Sequence, residues 1–297
     1  MELRQLQYFV KVARKQHVTQ AAEELHVAQS AVSRQIHQLE EELGIHLFVQ
    51  KGRNVQLTPA GKLFLARIEG VLTGLDRAVQ DLREFMDPEL GEIRIGFPHS
   101  LGIHLLPSVI ADFRKDHPNV KFKLRQGTYH SLIRDVLKGD LDLSFISPVP
   151  EQHEALTGQV LLTEELHAIL PVGHVLADYQ HLRLEQLRNE SFVMFSEEYS
   201  LRAIVLDACR KAGFTPTIGF EGEETDTIRG LVAAGMGVSL LPEMALNETS
   251  PLMPVRLRIS EPKVTRTIGL INRSSGEKLP LVTEMFRRFL LEYFQTE

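Results

Sequence analysis

Cysteine is nearly absent: Cys209 stands alone among 297 residues. That excludes an intramolecular disulfide, a thiol-metal cluster and a disulfide switch within one subunit. The chain fits a reducing compartment. Excess basic charge is missing too, since 33 Lys+Arg meet 39 Asp+Glu for a formal net charge of -6. A uniformly basic coat for nucleic acid is therefore excluded, and any such site must be local. Long apolar runs are lacking. The stretch Gly230–Pro242 is uncharged and Gly-rich, yet it falls short of the ~18 residues of a membrane span. The start, Met1-Glu2-Leu3-Arg4-Gln5, carries an acid and no long apolar run, so it does not read as a signal peptide. A cytoplasmic protein without a membrane partner is expected.

Catalytic and cofactor signatures are also missing. There is no GxxxxGK[ST], no HExxH and no GxSxG. Gly235-Met236-Gly237 has Leu240 where a dinucleotide fingerprint needs its third glycine, so it reads as a turn. His17, His26, His37 and His46 are spread evenly rather than clustered, and no metal is expected. No cofactor is expected either, and Cys209, one turn from Val205, reads as a small core thiol.

What is present is ordinary globular composition, with 43% hydrophobic and 24% charged residues. The length suggests two domains. Residues 1–58 read as helix-rich. Leu3, Leu6, Phe9, Val10 and Ala13 recur at helical steps. Thr19 is the expected N-cap of a short second helix ending near Leu25. After a break at His26-Val27 a third helix spans about Gln29 to Leu43, with Val32, Ile36, Leu39 and Leu43 inward and Gly44 as its stop. Leu47 to Leu57 reads as a hairpin around a Gly-containing turn. Thr58-Pro59 then starts a long helix reaching Asp87. Along it Phe64, Ile68, Val71, Leu75, Ala78, Leu82 and Phe85 alternate steps of four and three. The spacing points to a dimer seam at residues 59–87, or alternatively to packing on its own subunit.

After Pro88 strands and helices alternate. Expected strands are Glu92–Phe97, Val120–Arg125, Leu141–Ile146, Leu166–Leu170, Phe192–Phe195, Ile218–Phe220, Val238–Leu241 and Thr267–Ile271. Expected helices are Leu101–Lys115, Ser131–Lys138, Leu201–Ala212, Thr227–Ala234 and Leu281–Phe294. The series implies an α/β domain at 88–297 with a parallel, helix-covered sheet.

Cap, short helix, tight break and longer helix make a helix-turn-helix layout. Its second helix enters the major groove and presents its first residues to base edges. Here these are Gln29, Ser30, Ser33 and Arg34, with His37 one turn on. Gln bonds adenine twice, Arg bonds guanine twice, and Ser serves base or phosphate. Residues 1–58 are nearly neutral, but neither Leu25–Leu39 nor Leu43–Ile68 contains an acid. Glu23-Glu24 and Glu40-Glu41-Glu42 are expected to point away. Lys51 is placed to meet phosphate and Arg53, at the hairpin tip, to enter a minor groove. Ligands of α/β sheets sit outside strand carboxyl ends. That singles out Ser100, Thr128, Ser147, Phe195 and Ser196, with Ser100 as a helix cap offering free backbone N–H groups to an anion.

These residues carry a family resemblance. Leu6-Gln7-Tyr8-Phe9, Ala21-Ala22-Glu23-Glu24-Leu25, Gln29 through Ile36, Leu39 through Gly44, Leu47-Phe48, Arg53 and Leu57 through Gly61 resemble the winged helix-turn-helix of LysR-type transcriptional regulators. The resemblance implies DNA contacts at Gln29, Ser33, Arg34 and Arg53, although Gln50 stands where that family usually has Arg. It also implies a dimer helix and a two-lobed, periplasmic-binding-protein-like effector domain, with lobe I about 88–162 and 267–297 and lobe II about 163–266. Implied partners are an inverted repeat in promoter DNA, RNA polymerase, a small effector in the interlobe cleft and further copies of the chain, as a homodimer or homotetramer. Ile95-Gly96-Phe97-Pro98, Leu124 through Gly127, Pro148-Val149-Pro150 and Glu221-Gly222-Glu223 are similar to the subgroup governing glutamate synthase genes. That subgroup implies 2-oxoglutarate or glutamate as effector, with Arg125, Arg202 and Arg229 as candidate cationic partners. The rival classes are a solute-binding protein and a cytosolic α/β enzyme with an accessory helical domain.

Overall fold

The computed structural model describes residues 1–52, 54–86, 89, 91–102, 105–151, 153–246, 253–274 and 279–295, without the side chains of 80, 81 and 83–86. Arg53 and the Phe85 side chain lie outside the described residues. The chain divides into two compact units, 1–80 and 81–297.

The first unit opens with helices α1 (Leu3–Lys15), α2 (Val18–Glu24) and α3 (Gln29–Leu43). Hairpin β1 (Phe48–Lys51) and β2 (Asn54–Leu57) follows, and then α4 (Pro59–Met86). The core joins Leu6, Phe9, Val10, Leu39, Leu47 and Ile68. Phe9 is the hub, with its ring 5.4 Å from that of Phe48 and 5.1 Å from that of Phe64. A second cluster of Val12, Ala21, Ala22, Val32 and Ile36 locks α2 against α3. Small Ala21 and Ala22 let those helices approach closely.

Local details correct several expectations. His17, not Thr19, caps α2, through Nδ1 accepting from the Gln20 N–H at 3.4 Å. Thr19 lies inside the helix. Leu43 is exposed because the last turn of α3 runs beyond the core. The seam expected along α4 splits. Phe64 and Ile68 pack into their own unit, whereas Val71, Leu75 and Leu82 are exposed. One apolar periodicity passes from a face packed on α1 and the hairpin to a face that is exposed among the described residues.

Thr58 starts α4 as expected, accepting from the Gly61 N–H at 2.9 Å and donating to the His46 carbonyl at 2.8 Å. Gly61 must be glycine: a Cβ there would lie 2.1 Å from the Leu47 carbonyl oxygen. Gly61→Ala is expected to push the hairpin off α4, lowering the melting temperature of the first unit and weakening DNA binding. A thermal melt and a gel shift check this, and wild-type values in both would refute it.

The second unit is α/β with a mixed sheet. Strands β3 (Glu92–Phe97), β4 (Lys121–Gln126) and β5 (Leu143–Ile146) are parallel neighbours. The long β6 (Leu156–Leu170), together with β7 (His181–Arg183), β8 (Ser191–Phe195), β9 (Thr217–Gly222), β10 (Ser239–Pro242), β11 (Val255–Glu261) and β12 (Thr265–Arg273), completes the set. The path is β4-β3-β5-β12-β6-β11-β7, with β10 also on β6 and β8-β9 as a separate pair. β12 runs antiparallel to both β5 and β6. The purely parallel sheet expected from alternation is thus corrected. The chain crosses between lobes once along β6 and returns along β12, and strand periodicity carries no direction.

The two lobes have separate cores, one around Ile93, Ile95, Phe145 and Phe286 and the other around Phe192, Val193, Leu240 and Val205. Helices α5 (His99–Gly102), α6 (Leu105–Asp116), α7 (Tyr129–Lys138), α8 (Ser200–Lys211), α9 (Thr225–Ala233) and α10 (Leu281–Tyr293) cover them. The single helix expected over 101–115 is two helices, because Pro107 is tolerated in the first turn of α6 but would disrupt a continuous helix. Cys209 is buried beside Val205, and burial pushes its thiol up to about 12. It is an inert core thiol.

Candidate functional site

The first candidate surface is α3 with the hairpin. Val32, Ile36 and Leu39 anchor the inner face. The opposite face therefore presents Gln29, Ser30, Arg34 and His37 to solvent, with Ser33 half-buried between them. Gln29 donates through Nε2 to Ser33 Oγ at 2.9 Å, so two expected base-reading groups are already aligned. Lys51 is exposed at the end of β1, opposite Asn54.

The acids behave differently from one another. Glu24 is flanked by Lys11 and Lys15, whose ammonium groups hold its carboxyl down to about 2. Glu40 turns to the hairpin and accepts from the Leu47 and Phe48 N–H groups at 2.6 and 3.0 Å. Glu42 pairs with the amino terminus. Glu41 is a correction: its carboxylate lies 3.3 Å from His37 Nε2, at the edge of the outward face. Both partners are exposed, so this pair is weak and breaks at little cost.

The second candidate site is a cleft between the lobes of the second unit, in two neighbouring chambers. The outer has a volume of about 560 Å³, with Tyr129, His130, Glu197, Glu198 and Lys263 among its walls. The inner is small, about 30 Å³, and is walled by Ser100, Ser147, Phe195, Glu223, Thr225 and Arg266, together with Pro98, His99 and Leu201. Tyr199 and Ser200 belong to both.

Three of the five sequence-derived effector positions therefore meet: Ser100, Ser147 and Phe195. Thr128 and Ser196 are not brought to these walls. Thr128 sits at the start of α7, donating to Ser131 Oγ at 3.3 Å, and the Ser196 N–H donates to the Gly222 carbonyl at 2.9 Å. Ser100 is not the expected helix cap. It lies within α5 and its hydroxyl accepts from Arg266 Nη1 at 2.7 Å.

The candidate arginines are corrected as well. Arg125 pairs with Asp135 at 3.1 Å. Arg202 donates to the Phe195 carbonyl and to Glu221. Arg229 donates to the Ala245 carbonyl at 2.9 Å and faces Asp226. None of the three lines either chamber. The arginine that does is Arg266 on β12, buried against Glu164 on β6, its Nε donating at 2.6 Å. Burial pulls its pKa below the ordinary guanidinium value, opposed by Glu164. The sequence signal was an Arg inside one strand and a Glu inside another; their pairing was not legible.

The inner chamber holds unsatisfied polar groups. Ser147 Oγ and His99 Nδ1 are buried without a hydrogen-bond partner. Such atoms cost about 1–3 kcal/mol each unless a ligand or water meets them. Tyr199–Leu201 and Thr225 bring the starts of α8 and α9 to the same chamber, and helix starts favour anionic groups. Among the described residues no metal-binding cluster occurs, and no helix is long and apolar enough to cross a membrane.

Comparison with known proteins decides the family. Residues 3–62 match the model of the "Bacterial regulatory helix-turn-helix protein, lysR family", and residues 87–295 that of the "LysR substrate binding domain". The chain belongs to the LysR family of transcriptional regulators. It is 46% identical over 294 residues to "Transcriptional dual regulator GltC" of Bacillus subtilis, covering 99% of this chain and 98% of that protein. Full-length CbnR in complex with its target DNA shares the fold, with a TM-score of 0.78 at 22% identity over 99% of this chain and 100% of that one. The effector-binding domain of QuiR, solved with shikimate, superposes with a TM-score of 0.63 at 28% identity, over 70% of this chain and 98% of that domain. This LysR-family chain is thus a DNA-binding transcriptional regulator with an effector domain, not an enzyme. LysR regulators bind promoter DNA and small effectors and form oligomers. The two-lobed effector fold expected from the sequence is present.

Proposed function

We propose that this regulator reads an inverted repeat in promoter DNA through paired α3 helices and changes its grip when a small carboxylate occupies the interlobe cleft. The observation that carries the DNA half is the outward face of α3, polar from Gln29 to His37 over a fully apolar inner face. Arg34 reads guanine; Gln29 reads adenine; Ser30, Ser33 and His37 serve bases or backbone. Lys51 and Arg53 take phosphate and minor groove. Residues 1–58 form the DNA-binding domain, 59–87 the linker helix, and 88–297 the effector domain. In a dimer the two helices lie roughly 34 Å apart, one DNA turn.

Similarity to GltC across nearly the whole chain supports glutamate synthase or other nitrogen genes as targets, and 2-oxoglutarate or glutamate as effector. The work is cytoplasmic, beside RNA polymerase, in a dimer or tetramer. Effector control follows if the ligand binds two arrangements of the lobes with different affinity. Arg34→Ala is expected to cost about 1–3 kcal/mol of specific affinity while leaving non-specific binding nearly intact. A gel-shift titration on upstream DNA against random DNA reads both. An unchanged specific affinity would remove Arg34 from the reading.

A further inference from the structure

The two chambers of the effector cleft differ in what they offer a ligand. The inner one, about 30 Å³, has room for one small polar group and not for a whole five-carbon acid. It offers Ser147 Oγ, on a residue only 4% exposed and without a partner, together with Nδ1 of His99, whose Nε2 lies 3.7 Å from Glu224. The positive charge of Arg266 is already matched by Glu164. A ligand held there must extend past Tyr199 into the outer chamber.

The mouth carries an excess of negative charge. Lys211 is engaged by Asp207 at 2.8 Å, and Lys263 lies 3.8 Å from Glu165. Glu197 and Glu198 on the outer wall and Glu223 on the inner wall make no ion pair among the described residues. Burial, followed by the nearby carboxylates Glu223, Glu198 and Glu224, pushes the Tyr199 phenol upward. A plain diacid entering this cleft would find one carboxylate solvated by donors and the other opposed by like charge. An ammonium group on the same ligand would meet the carboxylates of Glu197 and Glu198 beside Tyr199.

We propose that the cleft selects an amino acid over the corresponding keto acid or diacid, its carboxylate met by Ser147 and His99 and its ammonium group by Glu197 and Glu198 beside Tyr199. The inference rests on the cleft being the effector site and assigns the ligand class that site prefers. It names Glu197 and Glu198 as specificity-determining residues.

The test is calorimetry on the full-length protein with L-glutamate, 2-oxoglutarate and glutarate, which share a carbon chain and differ at one carbon. Wild type is expected to bind L-glutamate at least tenfold more tightly than either partner compound. The double variant Glu197→Gln/Glu198→Gln is expected to lose that preference. Ser147→Ala is expected to weaken all three ligands about tenfold. If Ser147→Ala weakens binding but wild type takes the keto acid or glutarate as tightly as the amino acid, the selection is overturned and the cleft reading survives. A preference that persists in the double variant overturns the role of Glu197 and Glu198. If Ser147→Ala changes nothing, or none of the three ligands binds, the inference and the cleft reading fall together.

Discussion

Replacing Glu164 by Leu is expected to destabilise the effector domain by about 3–5 kcal/mol, more than any single surface change in the protein. Its partner Arg266 has a side chain only 1% exposed, and Glu164 is itself buried on the neighbouring strand. Removing the carboxylate leaves an uncompensated guanidinium in a dry interior, with its Nη1 still donating to the neutral Ser100 hydroxyl. It also takes away the acceptor of the Met244 N–H, which meets Glu164 Oε2 at 3.1 Å. The depressed basicity of Arg266 shows that burial already strains against its charge. Urea unfolding followed by tyrosine fluorescence is suited to the measurement. Four of the five tyrosines, Tyr129, Tyr179, Tyr199 and Tyr293, lie in the effector domain, and tryptophan is absent. Glu164→Leu/Arg266→Met is expected to recover most of the loss, because apolar groups of similar volume replace a buried pair at little cost. A single variant as stable as wild type would show that the pair is not the strut between β6 and β12.

Leu75→Asp is expected to turn the assembled protein into monomers. Val71, Leu75, Val79 and Leu82 are all exposed on α4 within one subunit, the last at 68%. Such a row of large apolar side chains along a helix is the mark of a face that another surface covers. An aspartate there would have to lose water without a partner when the face closes. Sedimentation is expected to show the mass of a single chain, with loss of affinity for DNA carrying two half-sites and retention of weak binding to one. Ile68→Ala is the contrast. Ile68 is buried in the core of its own unit, so that change is expected to lower stability by about 2–5 kcal/mol and leave assembly alone. A dimeric Leu75→Asp protein would move the interface elsewhere.

Much of the DNA-binding unit was legible in advance. The period of Val32, Ile36 and Leu39 fixes which side of α3 is inward, so the exposure of Arg34 and His37 follows. Gly44, with φ +68, ends the helix as its residue type predicts. Thr58 and Pro59 begin the next one. Cap errors such as Thr19 for His17 arise because several side chains near a helix start can accept the same N–H group. The effector cleft was half legible. Strand ends located Ser100, Ser147 and Phe195, but which loop ends converge depends on strand order, and that order includes the antiparallel return of β12.

The amino-acid sequence alone determined the three helices of the first 44 residues, their apolar faces and which residues of α3 face outward, because these properties repeat within one element and need no distant partner. Tertiary structure alone decided three things. It covered Phe64 and Ile68 while leaving Leu75 bare, it set β12 against β6, and it placed Arg266 beside Glu164 across a separation of 102 residues. Each joins groups distant along the chain, and no local period encodes which of two apolar faces, or which of many charges, will be the neighbour.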